Sequence, residues 1–194
     1  MSVESTLERL PWAWGRDVAL RRWRSRAHRG DAVTCPLCER SFDDWDPGGR
    51  CWWCEGGPRE RTVWSVLADR PRLLSPDMSI LHFDPGWGLQ ARVASRSGFE
   101  YVTAGEDPAV NNLELDVAAI DLADGTYDGV IAPFAVHRRP DGERALAELR
   151  RVLEPGGWML LVAEPGDDPS GALRAAGFVP ERAGETAWLG RARR

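Results

Sequence analysis

Four cysteines constrain this chain more than any other feature of its sequence. They form two close pairs within one short segment, with the spacing Cys35-x2-Cys38-x12-Cys51-x2-Cys54. Paired CxxC units with no cysteine left over are typical of a tetrahedral four-sulfur site, the coordination that zinc prefers. Two disulfides or four unrelated thiols are the alternatives. Because four thiolates leave no open position for water or substrate, we expect a structural zinc ion.

The cysteine segment is too small to bury a core of its own, so metal binding would supply much of its folding free energy. Between the pairs, Asp46-Pro47-Gly48-Gly49 predicts the turn that folds the segment back on itself. Before it, Leu20, Trp23 and Ala27 recur at helical spacing. We therefore predict a helical arm at 1–30, a four-cysteine zinc ribbon at 31–62 and a larger domain at 63–194.

The larger domain alternates short apolar runs with helical segments. Strands are predicted at 79–83, 101–104, 113–117, 127–132 and 158–163, with two more near Val179 and Ala187. Helices are predicted at 90–96, at 141–153 before Glu154-Pro155-Gly156-Gly157, and from Ser170 to Gly177. Strands that alternate with helices predict an α/β fold with a parallel, doubly wound sheet.

Charge and hydropathy narrow the classes of function. The chain carries 25 basic residues, all of them arginine, against 30 acidic ones, and nucleic-acid binders are usually basic. Its longest apolar run, 158–163, is far shorter than the roughly 20 residues of a membrane span. Arginines stand where a signal peptide would carry its apolar stretch. We expect a cytoplasmic protein with a small-molecule substrate, and leave a protein partner open.

The loop after the first strand of the larger domain is the predicted ligand site, because such sheets bind ligands beyond their carboxyl ends. It contains Asp84, Gly86 and Gly88, and the two glycines would let the backbone approach a ligand closely. Near the ends of the next two strands stand further acids that could bind ribose hydroxyls or an adenine amine; they are Glu106, Asp107 and Asp116. Taken singly, each acid is more often a solvated loop residue than a ligand contact.

Two blocks later in the chain carry a family resemblance. Tyr127-Asp128-Gly129-Val130-Ile131 and Leu153-Glu154-Pro155-Gly156-Gly157-Trp158 resemble the fourth-to-fifth strand region of class I S-adenosylmethionine-dependent methyltransferases. The segments Arg50-Cys51-x2-Cys54 and Leu81-His82-Phe83-x-Pro85 resemble a bacterial branch of that family with an N-terminal zinc ribbon. The resemblance implies a Rossmann-like, mostly parallel seven-stranded sheet after the ribbon, and S-adenosylmethionine as cofactor.

The chain departs from the family pattern at the cofactor motif. Asp84 stands where the first of three glycines would fall, and Gly105 aligns with the family acid at the tip of the second strand. Glu106 or Asp107 would then replace that acid by a shifted register. Three functions follow as expectations: methyl transfer to a small molecule, a repurposed fold that catalyses a step such as cyclisation or serves as a binding partner, and RNA methylation.

The loop after the fourth strand is the predicted place of chemistry. A common His-x-x-Glu-His family pattern is replaced here by a segment that ends in His137, Arg138 and Arg139. His137 would act as general base, and the two arginines would bind an acidic small substrate. Trp87 and His82 are expected to face them across the pocket. The simpler interpretation makes His137 a bystander and leaves both arginines in solvent.

Overall fold

The chain divides into two compact units, and the four cysteines lie in the first. The computed structural model describes residues 13–193, and side chains from residue 18 onward, so the first twelve residues of the predicted helical arm lie outside it. The first unit runs to Arg61 and includes Gly86–Arg92, and the second comprises Thr62–Pro85 and the chain from Val93 onward. No helix in the described range is long and apolar enough to cross a bilayer.

The first unit is built on helix α1 (Ala13–Ala27) and the antiparallel hairpin of β1 (Arg29–Thr34) and β2 (Ser41–Phe42). In α1, Leu20 of the predicted apolar face is buried, whereas Ala27 is exposed. The predicted turn is present, because Asp46 Oδ1 accepts hydrogen bonds from the backbone N–H of Gly48 (2.8 Å) and of Arg50 (2.7 Å).

The two CxxC pairs have the same backbone construction. The carbonyl of Cys35 accepts a hydrogen bond from the Glu39 N–H at 2.8 Å, and that of Cys51 accepts one from the Glu55 N–H at 3.0 Å. Glu39 and Glu55 adopt left-handed φ angles of 60° and 58°. Each pair is therefore a tight knuckle whose last turn costs some backbone strain.

The second unit contains the seven-stranded sheet, in the order β5-β4-β3-β6-β7-β9-β8. Its strands are β3 (Ser79–Phe83), β4 (Glu100–Gly105), β5 (Leu113–Glu114), β6 (Tyr127–Ile131), β7 (Leu153–Val162), β8 (Phe178–Arg182) and β9 (Ala187–Ala192). Strands β3 to β7 pair in parallel, and β9 runs antiparallel to both of its neighbours. The predicted mostly parallel, Rossmann-like sheet is confirmed.

Strand β3 marks the point where the strand order reverses. His82 on this strand aligns with Thr103 on β4 and with Ile131 on β6, so three carboxyl ends meet at one edge of the sheet. Ligands of doubly wound sheets bind at such a switch point. This edge is the place where a functional site is expected.

In the described range, α1 is followed by four more α-helices: α2 (Pro58–Asp69), α3 (Trp87–Ala94), α4 (Gly142–Arg151) and α5 (Ser170–Ala175). Helix α4 buries Ala145, Leu146 and Leu149, as its 3.6-residue periodicity predicts. Alternate strand residues such as Leu81 and Val130 join the same apolar core.

Three predicted boundaries need correction. The strand at 113–117 is shorter, because Asp116 Oδ1 accepts a hydrogen bond from the Ala118 N–H and turns the chain. Helix α3 begins at Trp87, three residues before the predicted start. The segment Glu154-Pro155-Gly156-Gly157 ends the preceding helix as predicted, yet it lies inside β7, where the pairing with β6 changes register.

Gly129 provides a test of packing in this sheet. A Cβ atom at position 129 would lie 2.4 Å from ring atoms of Trp158, whose side chain is completely buried. We expect Gly129→Ala to lower the free energy of unfolding by about 1–3 kcal/mol, measured by urea denaturation. Gly171→Ala is the matched control, because a Cβ there meets nothing within 4 Å. Equal stability of the Gly129 variant and the parent would contradict this packing.

Candidate functional site

The four cysteine sulfurs converge on one point. All four lie within 4.8 Å of one another, and the Sγ–Sγ distances are 3.6 Å for Cys35 with Cys54 and for Cys38 with Cys51. A tetrahedral zinc ion with bonds of about 2.3 Å needs sulfur separations of about 3.8 Å, whereas a disulfide needs about 2.05 Å. The cluster therefore fits a zinc ion better than two disulfides, because the sulfurs stand at the separation that zinc requires and all four cysteines are free.

Tryptophans around the cysteines pack against arginine and histidine side chains. The Trp53 backbone N–H also points at Cys51 Sγ from 3.4 Å, a contact that stabilises a thiolate. Three of the tryptophan rings each have an arginine or histidine side chain stacked on them, which supports a packing role for these tryptophans. The pairs are Arg40 over Trp53 at 3.8 Å, Arg61 over Trp45 at 4.0 Å, and His28 stacked on Trp52 at 3.7 Å.

Gly86 and Gly88, predicted to approach a ligand, border atoms of the first unit. A Cβ on Gly86 would lie 2.5 Å from Glu60 Oε1, and a Cβ on Gly88 would lie 2.8 Å from the Cys54 carbonyl oxygen. Trp87 between them is 47% exposed, with the Arg21 guanidinium 4.9 Å from its ring centroid. The space above both glycines is thus occupied by the chain itself.

At the switch point of the sheet, Asp84 reaches over the end of the neighbouring strand. Its N–H donates to the Ala104 carbonyl at 2.8 Å, and its φ of 47° directs the chain out of the sheet. A Cβ on Gly105 would lie only 2.0 Å from Asp84 Oδ1. The Asp84 carboxylate therefore fills the volume of a side chain at position 105, where the family resemblance expects an acid.

The surroundings of Asp84 are acidic, with one unsatisfied acceptor. Burial and then the charge of Glu106 raise the pKa of the Asp84 carboxyl above its usual value, and Asn111 donates a hydrogen bond to it. Asn111 Oδ1 is buried and has no partner among the described residues. A buried acceptor beside a carboxylate fits a ligand that carries hydroxyl or amino donors, and S-adenosylmethionine carries both.

The remaining predicted acids differ in their roles. Glu106 is exposed, and its charge acts on Asp84. Asp107 is also exposed, but its carboxylate accepts a hydrogen bond from the Ala109 N–H at 2.9 Å and stabilises a turn. Asp116 likewise accepts from a backbone N–H in its own turn. The structure brings Asp84 and Glu106 together, whereas Asp107 serves its own loop.

His137 lies in a 3-10 turn after β6 and is held by a carboxylate. Its Nε2 is 3.5 Å from Asp167 Oδ2, while its Nδ1 is buried without a partner in the described part of the chain. Burial lowers the pKa of His137 below its usual 6.5, although the charge of Asp167 opposes the shift. Ala135, two residues earlier, has a left-handed φ of 47°. The ring therefore has one nitrogen facing a carboxylate and the other enclosed by the protein.

The two arginines beside His137 are already paired. Arg138 lies 3.3 Å from Asp167, and Arg139 donates two hydrogen bonds to Asp141 at 2.9 and 3.2 Å. The hydrogen bond to Asp141, followed by the charges of nearby acids including Asp116, raises the pKa of Arg139. Both guanidinium groups therefore already have a carboxylate partner within the protein.

His82 is a core residue. It is only 3% exposed, its Nδ1 lies 2.8 Å from the Tyr101 hydroxyl, and burial lowers its pKa to about 3. Burial also raises the pKa of Tyr101. Both groups are therefore neutral at physiological pH, as expected for a hydrogen-bonded core pair.

Sequence reasoning missed Asn111, Asp167 and Asp141. The sequence signal that could have identified Asn111 as a site residue was its position in the polar loop after β4. Asp167 is thirty residues beyond His137 along the chain, and no spacing rule connects the two.

The metal centre leads to a prediction about composition and stability. We expect one zinc ion per chain by elemental analysis of the purified protein. Cys51→Ser should lower zinc content and melting temperature, because three thiolates hold the ion more weakly than four. Ser75→Ala, in an exposed turn of the second unit, is the control and should keep the metal. A folded, metal-free parent protein would contradict the assignment.

Comparisons with known proteins agree with this fold. Residues 85–161 match the family model described as "Methyltransferase domain". Demethylmenaquinone methyltransferase of Thermus thermophilus is 44% identical over 64 residues, which cover 33% of this chain and 29% of that protein. The chain spans less than a third of the length of the curated relatives it matches.

Two solved structures illustrate the likeness. Burkholderia thailandensis 1,6-didemethyltoxoflavin N1-methyltransferase, with bound S-adenosylhomocysteine, superimposes with a TM-score of 0.54 and 18% identity over 70% of this chain and 80% of that one. The cyclase SpnF gives 0.52 and 20% over 87% and 72%. Residues 85–161 are therefore similar to a methyltransferase domain, and the chain shares a Rossmann-like fold with these two structures.

Proposed function

We propose that this chain binds S-adenosylmethionine at the carboxyl ends of β3 and β4 and transfers its methyl group to a small molecule. The observation that carries the proposal is the Asp84 carboxylate, which occupies the volume above Gly105. There it would accept hydrogen bonds from ribose hydroxyls in place of the missing family acid. Asn111 Oδ1, buried and unpartnered, would accept from a further donor of the cofactor.

The charge of this edge also suits the cofactor. Asp84, Glu106 and Asp116 are acidic, and the two nearby arginines are already paired with Asp167 and Asp141. When bound, S-adenosylmethionine supplies a methyl group on a positively charged sulfonium. The protein's task is then to bind, align and exclude water.

Within this proposal, His137 is the base that takes a proton from the acceptor. Asp167 would accept the Nε2 proton, which leaves the lone pair on Nδ1. Because Nδ1 is buried, the 3-10 turn would have to open for the acceptor to reach it. Burial keeps the ring neutral, so the base is in its active form at neutral pH. This division of labour assigns the orientation of the ring to Asp167 and the proton transfer to His137.

An acidic substrate is a further prediction, which depends on Arg138 and Arg139. An acidic substrate would have to displace Asp167 from Arg138, or Asp141 from Arg139. Exchange of one carboxylate for another is feasible at these exposed pairs, because surface ion pairs contribute little. We therefore retain Arg138 and Arg139 as candidate substrate contacts and place the cofactor first.

A second candidate function is a repurposed fold that catalyses cyclisation or another displacement without methyl transfer. The atypical Asp84 loop and the likeness to the cyclase SpnF support it. Titration calorimetry with S-adenosylmethionine separates the two candidates, because methyl transfer requires the chain to bind this cofactor, whereas cyclisation does not.

Cofactor binding gives the first functional prediction. We expect the parent to bind S-adenosylmethionine in titration calorimetry, and Asp84→Asn to weaken binding roughly 10- to 100-fold, because it removes charge-assisted hydrogen bonds. Asp31→Asn, an exposed acid on β1, is the matched control and should bind like the parent. A parent that fails to bind at millimolar cofactor would favour the second candidate.

The pH dependence of turnover gives a second functional prediction. A base must be deprotonated, so turnover should rise with pH through the lowered pKa of His137 and stay level above neutrality. Asp167→Asn removes the carboxylate that favours the imidazolium, so the acid limb should move to lower pH. NMR titration of the His137 ring checks its pKa directly.

The substitution His137→Ala tests the role of the base. It should reduce turnover roughly 10²- to 10⁴-fold. Parental turnover with an unchanged pH profile would make His137 a bystander.

A further inference from the structure

The segment Gly86–Arg92 follows β3 in the chain but belongs to the same compact unit as the four cysteines. It contains the start of α3, where the Gln90 N–H donates to the Gly86 carbonyl at 3.0 Å. The loop after the first strand of a doubly wound sheet normally serves the ligand. Here its neighbours are residues of the ribbon.

The closest of these contacts involves a metal ligand. A Cβ on Gly88 would lie 2.8 Å from the Cys54 carbonyl oxygen, 2.9 Å from its Sγ and 3.0 Å from its Cβ. None of these atoms is the end of a flexible side chain that could move away. At Gly86, by contrast, the obstructing atoms belong to the flexible carboxyl end of Glu60. Only glycine fits at position 88 while Cys54 stays at the metal site.

Both knuckles also contact this segment, one through an ion pair and the other through Arg21. Glu39, the left-handed residue after the first pair of cysteines, contacts the guanidinium of Arg92. Glu55, its counterpart after the second pair, binds Arg21 at 3.1 Å, and Arg21 lies over the Trp87 ring. Each knuckle therefore contacts one end of the segment, and the close packing of Gly88 against Cys54 is the main restraint, because exposed ion pairs contribute little.

We infer that the zinc ion, by holding the two knuckles together, positions Gly86–Arg92 and so controls the affinity of the cofactor site. Asp84 stands two residues before Gly86 in the chain, so a loosened segment would remove a restraint on the left-handed backbone that directs the Asp84 carboxylate. The inference rests on the proposed function for its link to S-adenosylmethionine. Gly88 and Cys54 act here as positioning residues, since neither needs to touch the cofactor.

Amide hydrogen exchange on the full chain tests the positioning without any cofactor. Removal of zinc with a chelator should abolish protection in peptides that cover 86–92 together with those that cover 35–56. Peptides from β6 and β7 should keep their protection. Unchanged protection at 86–92 would overturn the inference, and so would loss of protection throughout β6 and β7, because the metal would then support the whole fold.

Three glycine variants test the contact itself. Gly88→Ala should lose zinc to a competing chelator at least tenfold more readily than the parent, even though alanine is the better helix former. Gly86→Ala should retain zinc, because only the Glu60 carboxyl end must move. Gly171→Ala, with open space around it, should match the parent in zinc retention and in cofactor binding. Parental zinc retention by Gly88→Ala would overturn the contact argument.

Cofactor binding completes the test. If the zinc-loaded parent binds S-adenosylmethionine, both the metal-free parent and Gly88→Ala should bind it at least tenfold more weakly. Equal affinity with and without zinc would overturn the link to the site. If the zinc-loaded parent does not bind the cofactor at all, the proposed function fails, whereas the exchange and zinc-retention results still decide whether the metal positions the segment.

Discussion

Parallel pairing of β3 with both β4 and β6 is the constraint on which the second unit depends. A central strand must have its backbone groups bonded on both sides, and parallel neighbours require connections that cross over a face of the sheet. The helices that make these crossings cover the apolar residues of the strands. The same pairing brings three carboxyl ends to one edge, so the candidate site is a consequence of the topology.

That edge carries backbone strain at two places. Asp84 after β3 and Ala135 after β6 both have a φ of 47°, a conformation that costs non-glycine residues about 1–3 kcal/mol. The strain has a local result in each case. Asp84 places its carboxylate above Gly105, and Ala135 starts the turn that presents His137. Strained residues at the ends of two adjacent central strands support the hypothesis that this edge is a functional site.

Much of this was predictable from sequence because it depends on local signals. The cysteine spacing, the strand alternation and the turn at Asp46 all act over a few residues, and each is present as predicted. The meaning of Gly88 was not predictable, since its partner is Cys54, far away along the chain. The same holds for His137 and Asp167. Long-range contacts leave no periodicity, and a glycine looks alike whether a ligand or the protein itself occupies the space above it.

The contact between Cys54 and Gly88 has a consequence for divergence. Two positions in van der Waals contact cannot change independently. A residue larger than glycine at position 88 would fit only after the metal site was lost. A chain without the cysteines would no longer need glycine at that position. The ribbon and the segment after β3 should therefore be inherited as one unit. A ribbon grafted in the same geometry onto another Rossmann-like domain would need glycine at the corresponding position after the first strand.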